Sequence, residues 1–277
     1  MKEVVKEYSI SVEDSSEEKT FMAMNFVAGS SMDDELYLAL STLEYLLLET
    51  QGAPLKQALL DAELGKDVYG YFDGSILQPV FSIVVKGSEK EKKEKFREVI
   101  FGTLQNLVDN GIDKKLVEAC VNITEFKLRE SDFQGMPKGL YYYMTAMDSW
   151  LHGGDPLVHL RYEENIEKMK QGLTTNYFEK LIEKYLLNNT HSSLLLLVPQ
   201  KGLADEKEAQ LKAKLQKYKE SLSMEELQEI VNETRELIKR QTTPDSHEVL
   251  ETIPVLSLSD IDDKVEELKV EETEAEG

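Results

Sequence analysis

The chain has 277 residues, of which 41% are hydrophobic, and it carries a formal net charge of −21. That length and composition allow a sizeable buried core and exclude a disordered chain. The negative charge, with lysines interleaved among glutamates, argues against a partner recognised through a nucleic-acid phosphate backbone.

Features that report on the cellular compartment are few. The one cysteine, Cys120, rules out an internal disulfide framework, suits a reducing compartment and lies among apolar residues in a helical pattern, which favours core packing. The N-terminal residues alternate charged and apolar side chains, unlike a signal peptide. The longest apolar run, residues 194–198, is far shorter than the roughly 20 residues of a membrane helix. We therefore expect a cytoplasmic protein with no membrane partner.

The first part of the chain mixes strand and helix patterns. Alternating apolar residues predict strands over 4–10 and 20–27, joined by an acidic turn, and the second strand is apolar on both faces, which predicts a sheet well covered by helices. A leucine-rich helix is predicted from Ser31 to about Glu49. Gly52 and Pro54 end that helix and begin another over 55–64, because glycine suits a helix end and proline a first turn.

Two more strands, several helices and a final strand complete this part. The strands are predicted over 66–72 and 77–86, around Asp73-Gly74. Helix starts are predicted at a capping box of Ser88 with Glu91 and at Asp113, and later helices over 140–151, 156–169 and 176–187, before a strand over 193–198. Hairpin-connected strands with helices between them predict an α+β fold, with a mostly antiparallel sheet covered by helices, over 1–201.

Beyond residue 201 the sequence becomes highly charged and helix-forming. Two apolar stripes, which include Leu215 and Leu237, predict an antiparallel helical hairpin over 202–243, with a capping box from Ser223 to Glu226. Residues 244–277 are expected to be an extended segment followed by an acidic tail.

No residue pattern identifies a reaction. His152 and His159 are seven positions apart, but the Gly-Gly-Asp-Pro run between them breaks a helix, so capped or surface histidines are favoured over a metal pair. The tyrosines at 141–143, with Trp150, either line a peptide-binding surface or, as we favour, pack in the core with their hydroxyl groups exposed. We assign no catalytic residue and no metal ligand to this chain.

Six segments in order resemble the presequence-protease branch of the insulinase or pitrilysin family of zinc metallopeptidases. They are QGAPLKQALLDAELGKDV (51–68), QPVFSIVVKG (78–87), VEACVNITEFKLRE (117–130), PKGLYYYM (137–144), WLHGGDP (150–156) and TPDSHEVLETIPVLSLSDI (243–261). Members of that branch have four related α+β domains in two halves that close around a chamber, with a helical hairpin joining the halves. The resemblance is to the second domain and that hairpin.

The resemblance implies a non-catalytic role. The family's zinc ligands lie on an HxxEH motif of the first domain, which this chain lacks, so zinc is expected in the full-length enzyme but not bound here, and this chain alone should hydrolyse nothing. The implied partners are the other domains of the same peptidase and an unstructured peptide.

In such relatives, the second domain contributes chamber wall and a strand edge that holds substrate by strand addition. By position, that edge falls on Val68, Tyr69, Gly70, Tyr71 and Phe72; an ordinary sheet strand is the equal alternative. The alternative function for the whole chain is a stand-alone peptide-binding or dimerisation module without catalytic activity.

Overall fold

The computed structural model describes residues 1–131 and 135–260. The chain divides into two compact units, Met1–Glu208 and Ala209–Gly277. None of the described helices is both long and apolar enough to cross a membrane.

One five-stranded mixed sheet organises the first unit. Its strands are β1 (Lys2–Ile10), β2 (Thr20–Val27), β3 (Asp67–Asp73), β4 (Val80–Ser88) and β5 (Ser192–Lys201), in the spatial order β1-β5-β2-β4-β3. All neighbouring pairs are antiparallel except β1 and β5, which are parallel. The predicted α+β fold with a mostly antiparallel sheet is confirmed. The predicted direct connection of β1 to β2 is not a hairpin, because β5 lies between them.

Helices of the first unit follow the chain between these strands. They are α1 (Asp34–Glu44), α2 (Pro54–Asp61), α3 (Lys93–Asn110), α4 (Lys114–Glu130), α5 (Lys138–Trp150), α6 (Glu163–Gly172) and α7 (Tyr177–Ile182). Single π-helical turns extend α1 over Tyr45–Glu49 and α7 over Glu183–Leu187. Helix α1 therefore continues to the predicted end at Glu49, but with a wider last turn.

Two of the predicted helix starts in the middle of the chain differ from the structure. The Ser88 hydroxyl lies in β4 and donates to the backbone carbonyl of Leu64, so it does not cap α3, which begins at Lys93. The helix expected over 156–169 begins at Glu163, after a 3-10 turn. Asp113 does cap α4, because its carboxylate accepts from the backbone N–H of Lys115 at 2.9 Å.

The hydrophobic core lies on one side of the sheet. Met22, Met24 and Phe26 of β2 are fully buried in one cluster with the leucines of α1 and α2. Phe21 and Val27, which point to the opposite side, are only half-buried. The expectation of a sheet well covered on both faces is therefore wrong for this strand, and the second face stays partly open.

The second unit is helical. Helix α8 (Leu203–Ser221) crosses the boundary between the units, and α9 (Met224–Thr242) begins with the predicted capping box of Ser223 and Glu226. Leu215 and Leu237 are each 55% exposed, so their apolar stripes remain largely open. A short helix α10 (His247–Leu250) and a 3-10 turn over Leu258–Asp260 interrupt the segment predicted to be extended. The predicted acidic tail from 261 lies outside the described residues.

Candidate functional site

The five residues predicted to hold a peptide lie on an edge of the sheet. Strand β3 pairs with β4, from Asp67 opposite Lys86 to Asp73 opposite Val80, and it is the last strand on that side of the described sheet. One edge of such a strand carries backbone N–H and C=O groups that no neighbouring strand satisfies. The geometry is therefore the one that strand addition requires.

Side chains of β3 alternate between the two faces of the sheet. Val68 and Phe72 point to the helix side, where Val68 is buried and the Phe72 ring meets the Tyr37 ring edge-on at 6.0 Å between centroids. Tyr69 and Tyr71 point to the open side, and Tyr71 is 48% exposed. The strand is thus anchored through one face and accessible from the other.

Gly70 allows β3 to lie close to the π-helical turn that follows α1. A side chain at this position would collide with Leu48, in the π-helical turn after α1, and would lie 2.8 Å from the carbonyl oxygen of Ser82 on β4. Gly52, with φ of +75°, then reverses the chain, and Pro54 opens α2. The apolar turn therefore connects the π-helical turn that contacts β3 at Gly70 with helix α2.

The turn after β3 is held at several points. The Ser75 hydroxyl donates to the carboxylate of Asp73 at 2.7 Å, and its backbone N–H donates to the same oxygen at 3.1 Å. The imidazole Nε2 of His152, beyond the end of α5, lies 3.3 Å from the carbonyl oxygen of Ser75. Gly74 lies against the Tyr37 ring, which leaves no room for a side chain. These contacts consequently hold the C-terminal end of β3 in place.

The described residues offer no catalytic or metal centre. Cys120 is buried, and burial raises the pKa of its thiol to about 11, which leaves little thiolate at neutral pH. The imidazoles of His152 and His159 each face a backbone carbonyl, of Ser75 and Ser31 respectively. Within residues 1–131 and 135–260, no three His, Cys, Asp or Glu side chains are grouped as metal ligands. The residues that the structure describes do not fit zinc.

The aromatic side chains of α5, the tyrosines at 141–143 and Trp150, are more exposed than the sequence indicated. Tyr143 is 59% exposed and Trp150 is 57% exposed. The favoured prediction of a packed core is therefore wrong for these two side chains. The helical pattern was misleading because α5 contributes no large hydrophobic side chain to the fully buried core.

Sequence reasoning missed a polar cluster behind the edge. The Tyr37 hydroxyl donates to the carboxylate of Asp148 at 2.9 Å, and its ring stacks on the imidazole of His159 at 4.0 Å between centroids. Burial raises the pKa of Asp148 and lowers the pKa of His159. Tyr37 is more than 100 positions from both of the other residues, so no local pattern could join them.

Comparison with protein families identifies the chain. Residues 2–124 match the family model described as the Peptidase M16 inactive domain, and residues 197–277 match the model of the region associated with subfamily C of the M16 peptidases. The chain belongs to the M16 peptidase family. The resemblance to insulinase-type peptidases is confirmed, and the M16 inactive-domain match covers β3 and its helical support.

Relatives and solved structures agree with this assignment. The chain is 49% identical to Protein HypA of Clostridium perfringens over its whole length, which is 28% of that protein. It is 33% identical to Presequence protease 1 of Arabidopsis thaliana, with 93% of the chain and 24% of the relative covered. The chain thus spans about a quarter of the length of these relatives.

Two solved structures share the fold. An inactive peptidase domain from Bordetella parapertussis aligns with 66% of the chain and 92% of its own length, at a TM-score of 0.53 and 13% identity. A protease from Helicobacter pylori aligns with 71% of the chain and 44% of its own length, at a TM-score of 0.54 and 15% identity. At sequence identities this low, the similarity shows a shared fold only.

Proposed function

We propose that this M16 chain is a non-catalytic part of a zinc-dependent peptidase that degrades unstructured peptides, and that it supplies chamber wall and a peptide-binding edge. The observation that carries the proposal is the edge position of β3 on an M16 inactive domain. An edge strand recognises main-chain groups, so it accepts many sequences provided that the peptide is extended. That selectivity suits a degradative enzyme.

The zinc chemistry is assigned to another domain of the same peptidase. The described residues give zinc no ligand group, and the chain spans only about a quarter of the length of a relative named a presequence protease, which leaves room for a catalytic domain elsewhere. The other domains are therefore the expected protein partners. We propose a cytoplasmic location, which the single buried cysteine supports because a free thiol is stable in a reducing compartment.

Hydrogen exchange tests the edge. An extended peptide without basic residues, added to the full chain, should slow exchange of backbone amides over residues 67–73 because the peptide pairs with them. The same peptide with every backbone amide N-methylated keeps its side chains but has no N–H donor on either edge, and it should give no protection. Strand β1 (Lys2–Ile10), at the other side of the described sheet, serves as the internal control.

Two results would count against this edge. Protection over β1 in place of β3 would assign the peptide to the wrong side of the sheet. Equal protection by the plain and N-methylated peptides would show that side chains, rather than main-chain hydrogen bonds, carry the binding.

A dimerisation module is the second candidate, and the open apolar stripes of α8 and α9 favour it. Leu215 and Leu237 are exposed, and exposed apolar stripes at helical spacing are typical of helix-pairing surfaces. Sedimentation velocity should then show a dimer that Leu215→Glu and Leu237→Glu convert to a monomer. A wild-type chain that sediments as a monomer excludes this function.

A further inference from the structure

A cavity of about 330 Å³ lies between α1, α4 and α5, on the helix side of the sheet. Its wall includes Tyr37 of α1, whose ring also touches Phe72 of β3. The volume falls within the roughly 300–1,000 Å³ of small-ligand sites. The cavity is therefore large enough for one side chain of a peptide, and Tyr37 connects its wall to Phe72 of the strand proposed to hold that peptide.

Two buried acceptors in this wall have no donor among the described residues. They are Oε1 of Glu44 and Nδ1 of His159. His159 is 9% exposed, and its Nε2 lies 2.7 Å from the carbonyl oxygen of Ser31. A carbonyl oxygen can only accept, so the imidazole proton belongs on Nε2 and Nδ1 is left as an acceptor. A buried acceptor without a donor is unfavourable, so both atoms favour a guest that donates hydrogen bonds.

The rest of the wall is aromatic. The cavity is lined by the tyrosines at positions 37, 45, 141, 142 and 162. Aromatic ring faces attract cations, and the Lys127 ammonium already lies 4.7 Å from the centroid of the Tyr45 ring. An anion would meet the carboxylate of Glu44 here, and a purely apolar guest would leave both acceptors unsatisfied. A cation with N–H donors suits the two acceptors and the ring faces, and Lys127, which also lines the cavity, would oppose it.

We propose that this cavity binds a basic side chain of a peptide, whose guanidinium or ammonium group donates to Glu44 Oε1 or His159 Nδ1 while the tyrosine rings enclose its alkyl chain. That the cation belongs to a peptide rests on the proposed function, whereas the preference for a cation rests on the cavity alone. Burial, and then the neighbouring Glu49 carboxylate, raise the pKa of Glu44 to about 7, as expected for a carboxyl that lacks a full cationic partner.

Short capped peptides test the preference. The full chain is titrated at pH 8, where Glu44 is charged, with acetyl-Gly-Arg-Gly-amide, its lysine analogue and its citrulline analogue, and binding is followed by NMR shifts. Citrulline keeps the shape of arginine and removes its charge. We expect the arginine or the lysine peptide to bind at least about tenfold more tightly than the citrulline peptide. Equal binding of all three overturns the proposal.

Three variants locate the site. Glu44→Gln should remove the discrimination against citrulline, whereas Glu118→Gln, an equal charge change on the exposed side of α4, should preserve it. Lys127→Met removes the internal cation beside Tyr45 and should strengthen binding of the arginine peptide, an effect that a damaged fold would not produce. Undiminished discrimination in Glu44→Gln, or weaker binding in Lys127→Met, would contradict the assignment.

The proposal for the β3 edge and the proposal for the cavity can be rejected independently. The hydrogen-exchange test of β3 uses a peptide without basic residues, so loss of charge discrimination leaves its outcome unchanged. Conversely, absence of protection over 67–73 together with tight binding of the arginine peptide would retain the cavity and reject the edge.

Discussion

Glu44 is a carboxyl group held among the leucines of α1, and its titration should be visible in the stability of the fold. Burial raises the pKa of Glu44 from 4.5 to about 7. The folded state then binds a proton that the unfolded state has lost, so the free energy of unfolding should fall as the pH rises through this window. Glu44→Gln should flatten that fall and stabilise the protein at pH 8 by on the order of 2 kcal/mol.

Urea unfolding of the wild type and Glu44→Gln at pH 4 and pH 8 measures this effect. Glu118→Gln is the matched control, because the same charge is removed from an exposed position. A gain of equal size at both pH values would show that the substitution acts through packing and not through the proton.

Gly70 offers a second prediction at the residue scale. Gly70→Ala would place a methyl group against Leu48 and 2.8 Å from the backbone oxygen of Ser82, which cannot move without disturbing β4. We expect a loss of about 1–3 kcal/mol in the free energy of unfolding. Gly102→Ala, in the interior of α3 with no atom within 4 Å of the new methyl group, should instead stabilise by about 0.5–1 kcal/mol.

Denaturant unfolding of the two glycine variants separates collision from helix propensity. If both substitutions changed the free energy of unfolding in the same direction, the close contact between β3 and the π-helical turn would not be the cause of the loss in Gly70→Ala. The peptide footprint over 67–73 should also weaken in Gly70→Ala, because the strand must shift to accommodate the methyl group.

At the scale of elements, the sequence predicts which segments are strands better than which strands are neighbours. The patterns of apolar residues locate all five strands, because apolar side chains alternate along most of them and form one short run in β5. The position of β5 between β1 and β2 depends on contacts across about 170 residues, which no local pattern records. The edge position of β3 was inferred from the family resemblance and not from its residues.

Helix starts also divide into those that local sequence predicts and those that tertiary contacts decide. Asp113 and Ser223 cap helices as predicted because each has a free side chain and a following helical run. Ser88 fits the same local pattern, yet its hydroxyl is used by the carbonyl of Leu64 from a distant turn. A tertiary hydrogen bond thus overrides a local capping signal.

The capping box of α9 gives a prediction at the element scale. The Ser223 hydroxyl accepts from the backbone N–H of Glu226 at 3.2 Å, while the Glu226 carboxylate accepts from the backbone N–H of Ser223 at 2.8 Å. Ser223→Ala should destabilise the first turn of α9 by about 1 kcal/mol, seen as faster amide exchange there. Ser246→Ala is the matched control, because Ser246 precedes α10 without a capping hydrogen bond; an equal effect on α9 would contradict the assignment.

At the scale of the whole molecule, the candidate cavity and the polar cluster that shares Tyr37 and His159 with it were less predictable than the fold. Tyr37, Asp148 and His159 come from three separate segments, and their interaction follows from the packing of α1 against the chain around α5. Residue chemistry alone gave no reaction, and six weak segments in order were needed to indicate the family. The physical reason is that an inactive domain keeps the spacing of hydrophobic residues that its fold requires. It lacks the metal-ligand motif from which a reaction could be recognised in the sequence.

The last prediction concerns the activity of the chain by itself. Activation of water for peptide hydrolysis by a zinc peptidase needs a metal held by protein ligands, and the described residues provide no such group. The purified chain should therefore retain no stoichiometric zinc after dialysis and should not cleave a fluorogenic unstructured peptide. Under the proposed function, the other domains of the peptidase, supplied separately, should cleave that peptide faster when this chain is added, because the proposal assigns part of the binding surface to it. Chelator-sensitive cleavage by the chain alone would refute the assignment of the zinc site to another domain.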